Sequence, residues 1–217
     1  MRILDAEKCP QGSGAWFQAR CGVLTASNFD EICTPEFTAR TGDKPRNFLC
    51  RKVAELKLNY SQEMMDPSAG THAMEQGQLL EKIALPWFNF EFNADVKQVG
   101  FCVSDDGRIG CSPDGLATDY GVEIKSPLPH THVRYLLDGF VPKDYRPQVH
   151  FSMYVTGMPA WYFVSFNRTL PKLVIKVERD EEIQAKIKNI VTAYHLQLDA
   201  ALEHLRNVQN GQLQPTQ

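Results

Sequence analysis

Residues Asp180 to Arg206 set Ile183, Ile187, Ile190, Val191, Tyr194, Leu198, Leu202 and Leu205 along one stripe. Steps of three and four residues are the period of an α-helix with a single apolar face. Asp180, Glu181 and Glu182 stand at its start, where negative charge meets the positive end of the helix dipole. A helix this one-sided needs a surface to cover, and the middle of the chain supplies strands. Val96 to Val103, Arg108 to Cys111 and Gly121 to Lys125 are short segments broken by Asp- and Gly-bearing turns. Ala160 to Phe166 and Lys172 to Val177 read as two further strands. Helices are expected over Ser27 to Cys33, Arg46 to Leu58, Thr71 to Phe92 and Arg146 to Val155, the last with Pro147 in its first turn. The expected fold class is therefore α/β (α+β), a central mixed sheet flanked by helices. It forms one domain over residues 1–207, followed by a loose Gln-, Asn- and Gly-bearing tail over 208–217 that carries an Asn-Gly break.

With 43% hydrophobic and 23% charged residues in 217, the chain is of ordinary globular composition. A chain of this length buries roughly 70% of its unfolded surface and needs no staple. The six cysteines include no C-x-x-C pair, which argues against zinc. No apolar leader precedes them and no run approaches the ~18 residues of a membrane span. They are expected to be reduced thiols in a cytoplasm. The net charge of −3 argues mildly against a nucleic-acid partner. It does not exclude one, because a basic groove can coexist with an acidic exterior, and a carboxylate metal site itself adds negative charge.

The segment with the most chemistry is Ser112-Pro113-Asp114-Gly115-Leu116, followed by Gly121-Val122-Glu123-Ile124-Lys125. On a strand, Glu123 and Lys125 share one face while Val122 and Ile124 turn into the core. Asp114, in a turn just before, can swing to the face of Glu123. Two carboxylates and an ammonium would then meet. Asp114 and Glu123 suit Mg²⁺, a hard cation that keeps several waters, and the carbonyl of Ile124 is a candidate third ligand. Such a metal activates water against a phosphodiester, and Lys125 can offset the charge that develops. An E-x-K triplet alone means little, since about one is expected by chance in a chain of this size. A solvated surface pair of Glu123 and Lys125 is the plain alternative.

Upstream, Trp16 to Arg20 leads into Gly22-Val23-Leu24-Thr25-Ala26-Ser27. Thr25 or Ser27 can cap a helix, and a helix start beside Arg20 makes a phosphate pocket. A plain cap next to a surface arginine is the alternative. Glu81, on a helix whose Leu80, Ile83, Ala84, Trp87 and Phe88 look buried, either approaches the metal site or faces solvent. His130, His132 and His150 are candidate proton carriers, or ordinary loop and helix histidines.

Taken together these pieces resemble the lambda exonuclease family, the phage-type alkaline exonucleases of the restriction-endonuclease-like superfamily. The match is carried by Trp16, Arg20, Gly22-Val23 and Thr25-Ala26-Ser27, by Gly77 and Glu81, and by Cys111 to Leu116. It continues through Glu123, Lys125 and Pro127, then Gln148-Val149, Ser152-Met153, Ala160 to Phe163 and Glu178 to Glu181. These stand in family order from about Gly12 to Asp180; Glu36 to Ala69 and Leu128 to Asp144 do not align cleanly, and the second stretch holds the loop after the strand of Glu123 and Lys125. His150 stands where a neutral amide is expected.

The resemblance implies a Mg²⁺-dependent 5′→3′ exonuclease on double-stranded DNA, with Mn²⁺ as a substitute. It would release 5′-mononucleotides and leave a 3′ single strand. It further implies a homotrimeric ring on DNA ends, a single-strand annealing protein as partner, no membrane, and a phage or prophage origin in a bacterial cytoplasm. By position Asp114 and Glu123 match metal ligands, Lys125 the catalytic lysine, Glu81 an accessory acid and Gln148 an active-site amide. Arg20, Ser27 and Ser112 match the pocket for a terminal 5′-phosphate, and Met74 an apolar wedge at the DNA end. The competing readings are a structure-specific endonuclease on the same metal core, which an end-reading pocket would obstruct, and a non-catalytic DNA clamp, which has no use for the Asp114, Glu123 and Lys125 set.

Overall fold

The computed structural model describes residues 1–61 and 72–211, without side chains at 72–79 and 81. Its strands are β1 (Arg2–Leu4), β2 (Leu24–Thr25), β3 (Phe101–Val103), β4 (Ile109–Cys111), β5 (Gly115–Leu116), β6 (Tyr120–Lys125), β7 (Ala160–Ser165) and β8 (Leu173–Glu178). Its helices are α1 (Gly14–Ala19), α2 (Asp43–Leu58), α3 (His72–Glu91), α4 (Pro129–Asp138), α5 (Arg146–Thr156) and α6 (Glu181–Gln209). Among the described residues the strands form two mixed sheets, in the orders β1-β3-β4-β2 and β5-β6-β7-β8. The expected α/β class, mixed sheet flanked by helices, is the architecture found, with two four-stranded sheets in place of one central sheet.

The second sheet divides the core. β6 lies parallel to β7, with Glu123 opposite Phe163 and Lys125 opposite Ser165. Val122, Ile124 and Val164 are fully buried on one side with Ala84 and Phe88 of α3. On the other side Trp161 and Phe163 join the larger core, with Phe29, Phe48, Phe151, Ile187 and Tyr194. Trp161 can pack against β6 because Gly121 has no Cβ; one added there would collide with the indole carbons. The α4–α5 segment makes the crossover between β6 and β7 that a parallel pair requires.

Helix α6 follows its stripe: Ile187, Ile190, Val191, Tyr194 and Leu198 are buried against the larger core. The Asp180 carboxylate caps it, accepting from the backbone N–H of Glu182 at 2.9 Å and of Ile183 at 3.1 Å. The helix continues past Arg206 to Gln209, so Val208 and Gln209 are helical rather than tail. The break falls at Asn210 and at Gly211, whose φ of 70° is left-handed. Residues 212–217 lie outside the described residues.

Two further expectations are corrected. The segment expected as a helix over Ser27 to Cys33 is a six-residue 3-10 helix, Ala26–Glu31. Of the strand expected over Val96 to Val103, only Phe101–Val103 pairs as β3; Lys97 makes an isolated bridge to Leu116. The stretch Leu128 to Asp144, which does not align cleanly with the family, contains α4, which starts on Pro129 and is capped by Gly139 at φ 70°. It docks through His132, fully buried, whose ring nitrogens lie 2.7 Å from the Ser165 hydroxyl and 2.8 Å from the Pro171 carbonyl oxygen.

Candidate active site

A cleft of about 420 Å³ opens where β5 begins and β6 ends, beside α5 and the turn after α1. Asp114, Glu123, Lys125 and Gln148 line it together with Arg20, Ser27 and Ser112. The strand period does the first part of the work. Glu123 and Lys125 leave β6 on the side away from the buried Val122 and Ile124, as expected. Asp114 is brought in by backbone pairing: its N–H donates to the Val122 carbonyl at 3.1 Å. Its Oδ2 accepts from the Ile124 N–H at 2.6 Å, which aims the carboxylate along the same edge. Gln11 fixes the preceding turn, donating from Nε2 to the carbonyls of Pro113 at 3.0 Å and Val99 at 3.3 Å.

Glu123 is 3% exposed, and its Oε1 accepts from Lys125 Nζ at 2.6 Å and from Gln148 Nε2 at 2.6 Å. Burial presses the Lys125 ammonium down, but the Glu123 and Asp114 carboxylates outweigh it and hold its pKa above the usual lysine range. Lys125 is therefore a cation at neutral pH. The Tyr145 ring lies 5.2 Å from its Nζ and gives the charge an aromatic wall.

Arg20 is 4% exposed at the foot of the same cleft. Its guanidinium donates to the Ser27 hydroxyl at 2.8 Å and, more weakly, to Thr25 and Ser112 at 3.4 Å each. Trp16 stacks on it with 4.1 Å from Cζ to the ring centroid, and the indole N–H donates to the Ser112 hydroxyl at 2.9 Å. The cation is thus held flat against the indole, with the exposed Ser27 at its edge. The expected contribution of a helix N-terminus is small. Ser27 sits within a six-residue 3-10 helix whose cap, Thr25, bonds the Asn28 side chain instead of the backbone.

Two carboxylates and a backbone carbonyl are hard oxygen donors that suit a divalent cation with retained waters. Among the described residues no group of three or more His, Cys, Asp and Glu side chains forms. The donor set is the sparse one that magnesium accepts, rather than a cage. The side chains of Glu81 and Met74, both on α3, lie outside the described residues. His132 is locked in the fold by both nitrogens. His150 lines a separate pocket with Val149, Val177, Lys143 and Arg146 and is not among the residues that line the cleft. The proton-carrier reading therefore has no geometric support for either histidine. Sequence reasoning missed Gln11, Tyr145 and Ser126, whose buried hydroxyl faces the cleft without a partner among the described residues. None sits in a recognisable spacing with the others.

A family profile described as YqaJ-like viral recombinase domain matches residues 15–159, well over half of the chain. The chain belongs to this family. The match spans all of the cleft residues named above except Gln11. Among curated proteins, ExoD of Escherichia coli K12 is 28% identical over 78 residues, 34% of this chain and 90% of that protein. Among solved structures, an alkaline exonuclease from Laribacter hongkongensis superposes with a TM-score of 0.81 at 26% identity, covering 93% of this chain and 100% of that one. A complex of the same enzyme with dAMP matches equally. A phage-related exonuclease from Haemophilus somnus 129PT shares the fold, with a TM-score of 0.61 at 13% identity over 84% of this chain and 96% of that one. The resemblance to lambda-type alkaline exonucleases holds. No helix among the described residues is long and apolar enough to cross a membrane.

Proposed function

We propose that this YqaJ-like recombinase-family protein is a metal-dependent 5′→3′ exonuclease on double-stranded DNA. It releases 5′-mononucleotides and leaves a 3′ single strand for recombination by strand annealing. The observation that carries the reading is that one cleft holds two different anion-handling groups: Asp114, Glu123, Lys125 and Gln148 on one wall, and Arg20, Ser27 and Ser112 on the other. A scissile diester on the first and a terminal phosphate on the second are what an end-directed enzyme must bind at once. In the same direction, the Laribacter exonuclease is known in complex with dAMP, a mononucleotide.

Asp114, Glu123 and the Ile124 carbonyl would hold Mg²⁺ or Mn²⁺, which when bound polarises a phosphate oxygen and lowers the pKa of water. Gln148 orients Glu123 through Oε1. Lys125, cationic and held at the same oxygen, is placed to offset charge building on the attacked phosphate. Arg20 and the two serine hydroxyls fix the 5′ end, so that the reacting bond is presented in register. Glu81 as accessory acid and Met74 as wedge belong to the same proposal by resemblance. So do a homotrimeric ring, which light scattering would check, an annealing-protein partner and a phage or prophage setting in bacterial cytoplasm.

The deciding experiment takes duplex DNA labelled at a phosphorylated 5′ end, with and without Mg²⁺. A labelled mononucleotide as first product, formed only with the metal, is expected. Labelled oligonucleotides of internal length would overturn the 5′→3′ exonuclease reading.

A further inference from the structure

Outside the cleft, α2 carries two charged side chains with almost no exposure: Lys52 at 1% and Glu55 at 0%. Neither touches the catalytic wall. Lys52 Nζ lies 2.9 Å from Glu55 Oε2, and the same oxygen accepts from the backbone N–H of Gly22 at 2.8 Å. The thiol of Cys21 points at the Glu55 carbonyl at 3.4 Å. Arg20, Cys21 and Gly22 form the turn that ends α1, and Gly22 is left-handed at φ 71°. A Cβ there would collide with the Leu56 side chain, so the turn is pressed against α2. The buried pair therefore holds the backbone two residues from the Arg20 guanidinium.

A buried ion pair is a poor source of stability, because removing two charges from water offsets most of their attraction. A neutral acceptor would satisfy one N–H equally well. A carboxylate makes the Gly22 bond shorter and stiffer, and Lys52 supplies a counter-charge beside it in the core. We propose that Lys52 and Glu55 are positioning residues for end recognition. They set the register of the Arg20 turn so that its guanidinium meets the terminal 5′-phosphate, an inference that rests on the end-reading role proposed for Arg20. Misplacement of such a group by an ångström can cost on the order of a hundred-fold in rate. The loss should fall on phosphorylated ends, because hydroxyl ends do not use the contact.

The test measures kcat/KM on matched duplexes with 5′-phosphate and 5′-hydroxyl ends and takes their ratio, for the full-length protein and three variants. Arg20→Ala tests the underlying reading. Lys52→Met/Glu55→Gln removes both charges but keeps an acceptor for Gly22. Lys52→Met/Glu55→Leu removes the acceptor as well. The expected ratio is reduced ten-fold or more in the Leu variant and several-fold less in the Gln variant. Should the Leu variant fail to fold by circular dichroism, Glu55→Asp takes its place: both charges stay, but the carboxylate withdraws by one methylene, and the ratio should fall several-fold. A merely structural pair would lower both rates together and leave the ratio at its wild-type value, which would overturn the proposal while Arg20→Ala still lowers it. If Arg20→Ala also leaves the ratio unchanged, the end-reading role and this inference fail together.

Discussion

Two donors converge on a single oxygen, Oε1 of Glu123, from β6 itself and from α5. The carboxylate is thereby fixed in direction. Replacing Asp114 or Glu123 by Ala should abolish cleavage in a folded protein, since a metal ligand is worth several kcal/mol of barrier. Near-wild-type turnover by folded Asp114→Ala would remove the site assignment. Lys125→Ala is expected to cost about 10²–10³ in kcat, the scale of losing one positioned charge stabiliser. DNA affinity, read by fluorescence anisotropy without turnover, should hold. The reverse pattern would make Lys125 a phosphate anchor. Arg20 answers to a different substrate feature. A terminal phosphate bears nearly two charges, and losing a charged donor to it costs about 1.5–3 kcal/mol. Arg20→Ala should slow digestion of 5′-phosphorylated ends ten-fold or more and affect 5′-hydroxyl ends much less. Equal losses on both would show that it does not read the end.

Among the elements, α6 owes its position to a stripe visible in the sequence and its start to one side chain. Asp180→Ala leaves two N-terminal N–H groups without their acceptor. It should lower stability by about 1 kcal/mol, read as a shifted urea midpoint at unchanged slope. Helix α4 shows the opposite case. Its buried residues are His132 and Tyr135, residue types whose burial hydropathy does not announce, while the apolar Val133 and Leu137 are exposed. Its stripe was therefore illegible, and only the Ser165 and Pro171 partners across the crossover make the buried imidazole affordable. The 3-10 turn at Ala26–Glu31 was misjudged for a related reason: helix signals carry no information on whether the ladder closes at three residues or four.

At the scale of the whole molecule, stability depends on pH through buried histidine. Burial, reinforced by the Arg146 charge and opposed by Asp180, lowers the pKa of His150 to about 4. The unfolded chain, with imidazole near ~6.5, takes up that proton first as pH falls. Stability from this group is therefore present above about pH 6.5 and is lost progressively toward pH 4, by up to about 3 kcal/mol. His195, also lowered by burial, adds in the same direction. Tm should fall between pH 7.5 and pH 5 in the wild type, and fall less in His150→Leu. An equal fall in both would clear His150 of the role. The sequence by itself determined the local periods: the α6 stripe, the strand that sets Glu123 and Lys125 on one face against Val122 and Ile124, and the turn that carries Asp114. Those follow from backbone geometry within a few residues. Only the tertiary structure decided that Arg20 lies beside Ser112, that Gln148 reaches Glu123, and that Lys52 and Glu55 are buried behind the Arg20 turn. Such contacts join residues far apart in the chain or hide charge in a core, and no local spacing encodes which of them will meet.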